Sequence, residues 1–281
     1  VKKLTPAVLA ALADPATQIA TCWRITRTDG KVVRLTDFDQ AIVVDGQTYN
    51  SNGSTERSAV ALSDGLSADN LTVRGVFKLG QVVESDMLDG RYDYAQVDIF
   101  LAFANGSAPG SIPLARGRFG VPSMDNGAYS VELQGLTYAL SASIGEVTSP
   151  GCRASFGDAH CAAGLPAWQH TYTLSAVADS RVLGLVGPST LPAGATYAQG
   201  LVEVLTGPAA GLKMEVRSVT GLALTLYLPL PTSPQPGDSV RVTAGCDKSR
   251  TTCHTVFANA INFQGEPDLP GTDSLLAPEV A

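Results

Sequence analysis

Basic side chains are scarce in this chain of 281 residues. There are 19 Lys and Arg against 26 Asp and Glu, a net charge of −7, and no stretch gathers the basic ones. A sequence-independent grip on nucleic acid needs clustered Lys and Arg to displace phosphate counterions. Neither DNA nor an anionic membrane is therefore expected as the primary partner. Long apolar runs are also missing, since none approaches the ~18 residues that span a bilayer. Aromatics make up 6% of the chain, which is sparse for a receptor- or carbohydrate-binding surface, and Trp23 and Trp168 lie far apart. The only histidines are His160, His170 and His254. No G-x-S-x-G, H-E-x-x-H or phosphate-cradling loop is present. The pairs Asp37 with Asp39 and Asp93 with Asp98 could serve a glycosidase, but scattered acids on strands are ordinarily solvated. These absences point away from an enzyme.

What is present is turn chemistry: 28 glycines and 17 prolines separate short apolar stretches, as in a mainly β protein. At the start, "VKKLTPAVLAALADP" is too short and too early broken by Asp14-Pro15 for a secretory signal. It reads instead as a short amphipathic helix with Thr5 as N-cap and Pro6 in first position. Hairpins are expected at Asp29-Gly30, Asp45-Gly46 and Asn126-Gly127, because these dipeptides accept the positive φ of tight turns. "DNLTVRGVF" and "AQVDIFLAF" read as strands. Between them Ser85 is expected to cap a single helical turn that Gly90 ends. "ARGRFGVPSMDNGAYSVELQGL" reads as one hairpin, followed by a short helix in "LTYALSASIGE". Residues 1–150 form a β-rich framework with no catalytic grouping.

Residues 151–281 differ. An irregular loop, "SPGCRASFGDAHCAAG", precedes strands in "WQHTYTLSAV", "QGLVEVLTG", "LKMEVRSV", "ALTLYLPL" and "SVRVTAGC". Of the five cysteines, Cys22 sits in a strand beside Trp23 and reads as a small core residue. The others form two pairs, Cys152 with Cys161 and Cys246 with Cys253, spaced C-x8-C and C-x6-C and 84 residues apart. Gly151, Gly164 and Gly245 accompany them and would allow close backbone approach. The spacing leaves three readings open. Two disulfides would suit a small secreted domain. Zinc usually takes C-x2–4-C, which neither pair matches. An iron–sulfur cluster accepts wider spacing. Lys248, Arg250 and Arg153 would offset thiolate charge. His160 and His254 each abut a cysteine and could replace one as ligand, though such histidines are more often exposed loop residues.

"GCDKSRTTC", followed by "NAINFQGEPDLPGTD", strongly resembles the C-terminal signature of the iron–sulfur tail-tip hub proteins. These occur in lambda-like long-tailed phages, related prophages and bacterial gene transfer agents, and the lambda minor tail protein L represents the type. "GCRASFGDAHC" resembles their first cysteine segment, and "GLKMEVRS", "TCWRITRTDGKVVRLTDFD" and "DGRYDYAQVDIF" resemble further stretches, so the likeness covers most of the chain. It departs at Phe38, where histidine is expected, and at Glu266 and Asp268, where aromatic or basic residues are usual.

The resemblance implies a 4Fe–4S cluster held by Cys152, Cys161, Cys246 and Cys253, with Cys22 outside the set. It also implies hub-like β-barrel domains, an iron–sulfur lobe with an inserted β domain, and a C-terminal strap. The expected role is a virion protein at the tail tip, assembled in the bacterial cytoplasm as a trimeric ring. It would lie below the tail tube and join the distal tail protein to the central fibre or spike. "NAINFQGEPDLPGTD" is expected to lie as an ordered strap over the cluster lobe or a neighbouring subunit.

Overall fold

The computed structural model describes residues 4–51, 56–57, 70–76, 82–104, 110–125, 128–135, 138, 145–187 and 191–269. The chain falls into two compact units, residues 1–143 and 144–281. Among the described residues no helix is long and apolar enough to cross a membrane.

Unit one begins with α1 (Pro6–Ala13), where the Thr5 hydroxyl oxygen accepts the Val8 N–H at 3.4 Å. Pro6 occupies a first-turn position whose N–H would have no helical partner. Val8 and Ala11 pack on Phe103 and Ile112. Ten strands follow: β1 (Ile19–Thr26), β2 (Val32–Thr36), β3 (Ile42–Val44), β4 (Gln47–Ser51), β5 (Glu56–Arg57), β6 (Asn70–Val76), β7 (Gln96–Phe103), β8 (Ser111–Phe119), β9 (Ser123–Asp125) and β10 (Ala128–Gln134). They form one sheet in the order β3-β4-β2-β1-β7-β8-β10-β6-β5, with β9 beside β10.

Strand alternation sorts this sheet's side chains. Trp23, Ile25, Val33, Leu35, Val97, Ile99, Phe119, Val131 and Leu133 point to one buried cluster. On the opposite face Cys22, Phe100 and Ala102 form an apolar patch that Ile42, Val44 and Tyr49 of the β3–β4 hairpin cover. Phe38 packs into that same patch. Cys22 is fully buried there, and burial pushes its thiol up to about 11.

The turns are more varied than expected. Asp45 (φ 50°) and Gly46 (φ 74°) make a true two-residue hairpin, with Val44 facing Gln47. At Asp29-Gly30 only Gly30 has positive φ, and five residues separate Thr26 from its partner Val32. The wider turn lets Arg27 fold inward. Its side chain is 1% exposed, bonds the carboxylates of Asp29 and Asp86, and lies over the Tyr92 ring. Asp86 belongs to α2 (Glu84–Leu88), which starts at Val83 with no side-chain cap, so Ser85 lies inside the helix rather than capping it. Residues 126–127, and the helix expected in "LTYALSASIGE" apart from Tyr138, Gly145 and Glu146, lie outside the described residues. The expected hairpin from 115 to 136 is present, with β9 and β10 antiparallel and Asp125 opposite Ala128, and it continues less regularly into β8. β10 meets β8 only at Leu133–Phe119 and Gln134–Arg118, and pairs along its length with β6.

Unit two contains a closed antiparallel barrel, β11-β12-β15-β14-β13-β16. Its strands are β11 (Gln169–Ala178), β12 (Val182–Val186), β13 (Leu201–Val204), β14 (Lys213–Thr220), β15 (Ala223–Leu226) and β16 (Ser239–Thr243). Leu174, Leu183, Val202, Val216, Leu224, Leu226, Val240 and Val242 fill it. Tyr172 and Tyr197 bond through their hydroxyls at 2.7 Å, and Tyr197 reaches His170 Nδ1 at 3.3 Å, so buried hydroxyls keep partners. β12 was not legible in the sequence, because Gly184 halves its short apolar run. The expected mainly β class holds as one large sheet, one closed barrel and few helices.

Candidate metal centre

The barrel positions the cysteines. Its first and last strands, β11 and β16, pair antiparallel with Gln169 opposite Thr243. The chain before Gln169 and the chain after Thr243 therefore leave the barrel side by side. Cys161 lies upstream of one exit and Cys246 just beyond the other, so barrel closure already joins the ends of the 84-residue excursion.

Each cysteine segment is shaped locally by an aspartate. Asp158 accepts the backbone N–H groups of Cys161 (2.7 Å), Ser155 (2.8 Å) and His160 (2.9 Å), and this lowers its pKa. In the second segment burial disfavours the charged Asp247, but bonds from the Ser249 N–H (2.9 Å) and Thr252 hydroxyl (2.8 Å) outweigh it and lower the pKa. That segment is not wholly irregular, as expected, but enters a short helix, α3 (Arg250–Thr255). Ser249 caps α3 at Thr252, and α3 carries Cys253 inward.

All four thiols line one cavity, with Lys248, Phe156, Phe257 and Asn259 among its walls. None of the five cysteines is in a disulfide. Burial raises Cys246 and Cys253, and the other cavity thiols raise Cys253 further. Two amide groups aim at sulfur. Gln264 N–H donates to Cys152 Sγ at 3.4 Å, and Asn259 Nδ2 donates to Cys161 Sγ at 3.7 Å and its carbonyl at 2.6 Å. Asn262 Nδ2 in turn holds Asn259 Oδ1 at 2.7 Å. Phe257 stacks between Phe156 (4.6 Å) and Trp168 (4.9 Å), closing the apolar side. Among the described residues, no group of three or more His, Cys, Asp or Glu is arranged to hold a metal ion.

His160 and His254 are exposed and do not line the cavity. Of the three cations, only Lys248 does, with Nζ donating to the Ala154 carbonyl at 2.5 Å. Arg153 turns to Glu266 (2.6 Å) and Glu146, and Arg250 to Asp268 (3.4 Å). Two of the residues that depart from the family pattern, Glu266 and Asp268, thus each meet an arginine. The acidic pairs also have structural work. Asp37 accepts the Thr21 N–H, and Asp98 lies between Arg24 and Arg116.

The strap lies along the first cysteine segment of the same chain. Arg153 N–H donates to Gln264 O (3.0 Å), Glu266 N–H to Ser149 O (2.8 Å), and Ser149 N–H to Glu266 Oε2 (3.0 Å). A Cβ on Gly265 would stand 2.7 Å from the Gly151 carbonyl oxygen, so this close approach requires glycine. Of the glycines singled out in sequence, Gly164 faces open space and Gly151 has only ordinary contacts, whereas a Cβ on Gly245 would overlap the Ala198 carbonyl. Gly245→Ala should therefore cost about 2–3 kcal/mol by overpacking. Gly164→Ala should stay within about 0.5 kcal/mol, as at ordinary surface sites. Thermal melts of both variants check this contrast. Sequence reading missed Asn259 as a donor to sulfur, and Phe156 and Trp168 as the apolar wall, because each is an unremarkable residue until the loops meet.

Comparison with known proteins places this geometry. A family model described as the baseplate hub protein, N-terminal attachment domain, matches residues 5–164. A second, described as the phage conserved hypothetical protein BR0599, matches residues 195–273. The first match spans Cys152 and Cys161, the second Cys246 and Cys253. No curated protein matches the chain. A chain in the solved structure titled "Virion of native gene transfer agent (GTA) particle" is 33% identical, with a TM-score of 0.86, over 98% of this chain and 96% of that one. This chain belongs to the baseplate hub protein family, and its role in a phage or gene transfer agent particle is structural rather than enzymatic.

Proposed function

We propose that the chain is the tail-tip hub, assembling as a trimeric ring that joins the distal tail protein to the central fibre or spike, with Cys152, Cys161, Cys246 and Cys253 holding one 4Fe–4S cluster. Family membership and the full-length likeness to a virion chain support the hub. The convergence of all four thiols on one cavity carries the cluster reading.

The donor set fits. Four thiols can become four thiolates, and N–H donors already reach two sulfurs, a known lever on cluster stability and potential. A lone tetrahedral zinc would need its sulfurs drawn to within about 4 Å of one another, given Zn–S bonds of ~2.3 Å. The C-x8-C and C-x6-C spacings, wider than zinc's usual C-x2–4-C, favour the cluster over a single zinc. When bound, the cluster supplies a covalent cross-link between the two cysteine segments. Lys248 would offset part of its charge, and Phe156, Phe257 and Trp168 would screen it from water.

Anaerobic purification followed by absorption, iron and sulfide analysis tests the site. The expected result is a broad shoulder near ~400 nm with about four irons per chain. One zinc per chain, or no metal with no free thiols, would overturn it. The mass of the purified assembly tests the ring: a trimer is expected, and a monomer at particle-like concentrations counts against it.

A further inference from the structure

One face of the large sheet carries a feature that the hub reading does not use. Two polar rows cross it. Gln96 stands opposite Arg118, and Arg118 opposite Gln134, across β7, β8 and β10. Arg24 stands opposite Asp98, and Asp98 opposite Arg116, across β1, β7 and β8. Asp98 is saturated, bonding Arg24 at 2.8 Å and Arg116 at 3.1 Å. Arg118 is exposed, has only amides beside it in its row, and makes no ion pair among the described residues.

The first row lies in a concavity of about 550 Å³, with Tyr94 and Tyr138 among its lining residues. That volume is within the range of ligand sites, roughly 300–1,000 Å³. Tyr94 is 61% exposed and held at φ 57°, a conformation a bulky side chain rarely adopts and one that clusters at binding sites. Gly117 forms part of the floor, where a Cβ would overlap the Gln134 carbonyl. A second concavity of about 440 Å³ adjoins it, shares Arg116, and includes Asp45 and Asp98. Together they make one trough whose lining carries Arg24, Arg116 and Arg118 against Asp45 and Asp98, a net positive charge.

We propose that this trough binds an acidic segment of a neighbouring tail protein, with a carboxylate held by the Arg118 fork between Gln96 and Gln134. A planar guanidinium takes a carboxylate through two parallel bonds, and the flanking amides add donors. Tyrosine and arginine are the side chains that anchor protein interfaces. Asp98 is already neutralised by Arg24 and Arg116, so Arg118, with no ion pair among the described residues, makes an acidic polypeptide segment the complementary occupant.

The test titrates the full chain with acetyl-Glu-Glu-Ala-Glu-amide, tri-galacturonate and inorganic phosphate, reading arginine Nε resonances by NMR. The peptide is expected to shift Arg118 and to bind Arg118→Gln at least about tenfold more weakly, the loss of one charge-assisted contact. Arg118→Lys should also bind more weakly, since the charge remains but the fork does not. Because Arg118 is exposed, both variants should keep the wild-type melting profile. The proposal fails if the peptide leaves Arg118 unmoved, if tri-galacturonate binds more tightly, which would mark a sugar site, or if phosphate binds equally well. None of these probes depends on the metal centre, so a colourless protein would leave this result standing.

Discussion

Replacing Cys246 with serine should strip the iron and free residues 149–164 and 246–269 to protease, while the barrel between them survives. A larger collapse, of everything from 151 to 270, would follow if the cluster alone closed the 84-residue excursion. The structure narrows this. The β11–β16 pairing already closes the excursion, and the barrel buries its own core of Leu, Val and Tyr. Outside the barrel, the cysteine segments have Phe156, Phe257 and Trp168, the strap hydrogen bonds, and the proposed cluster. Structural metal binding in small lobes contributes on the order of 10 kcal/mol to folding, far more than those contacts. Iron should fall from about four per chain to below one. Trypsin cleavage after Arg153, Lys248 and Arg250 should accelerate by at least about tenfold, as expected when local opening becomes cheaper by more than 1.4 kcal/mol. Cys22→Ala is the control, since that thiol is buried in the other unit and should leave the iron unchanged. Full iron and unchanged resistance in Cys246→Ser would remove that cysteine from the ligand set.

Arg27→Met should be the most damaging change in unit one, costing about 3–5 kcal/mol, the usual penalty for stripping one partner from a buried ion pair. Burial pulls the guanidinium towards neutrality, but Asp29 and Asp86 outweigh this and hold it charged. Asp86, at 18% side-chain exposure, would be left with only its longer bridge to Arg91 at 3.5 Å, whereas Asp29, at 37%, can turn to water. The same side chain ties the β1–β2 turn to α2 and packs on Tyr92, so its removal loosens three segments together. Hydrogen exchange at Trp23 and Ile25 during a urea titration reads unit one separately from the barrel. Adding Asp86→Asn should recover part of the loss, because Arg91 at 3.5 Å compensates that charge less well than Arg27 did. A cost below about 1 kcal/mol for Arg27→Met would put the pair in the class of surface bridges.

Local signals read well where local physics decides. Thr5-Pro6 starts α1, and Asp45-Gly46 makes a two-residue hairpin, because capping and positive φ depend on adjacent residues alone. Strands with clear alternation, such as β1 and β7, declared themselves. Asp29-Gly30 makes its hairpin too, though in a wider turn whose Arg27 bonds Asp86 far along the chain. Ser85 misled, since α2 has Val83 as its N-cap, two residues before the expected one. β12 escaped because its burial comes from barrel closure, while its short run is split by glycine.

The cysteines divide in the same way. Their identity as two pairs, their separation from Cys22, and the family signature around Cys246 and Cys253 were determined by the sequence by itself. Spacing could not decide among disulfides, zinc and a cluster, because it says nothing about where an 84-residue excursion returns. That return was decided by the tertiary structure, through the antiparallel pairing of the barrel's first and last strands. The strap's N–H groups reaching sulfur, and Arg118 set between Gln96 and Gln134, likewise arise only when distant segments meet. Periodicity and turn chemistry are properties of neighbours along the chain, whereas a binding site is a property of neighbours in space.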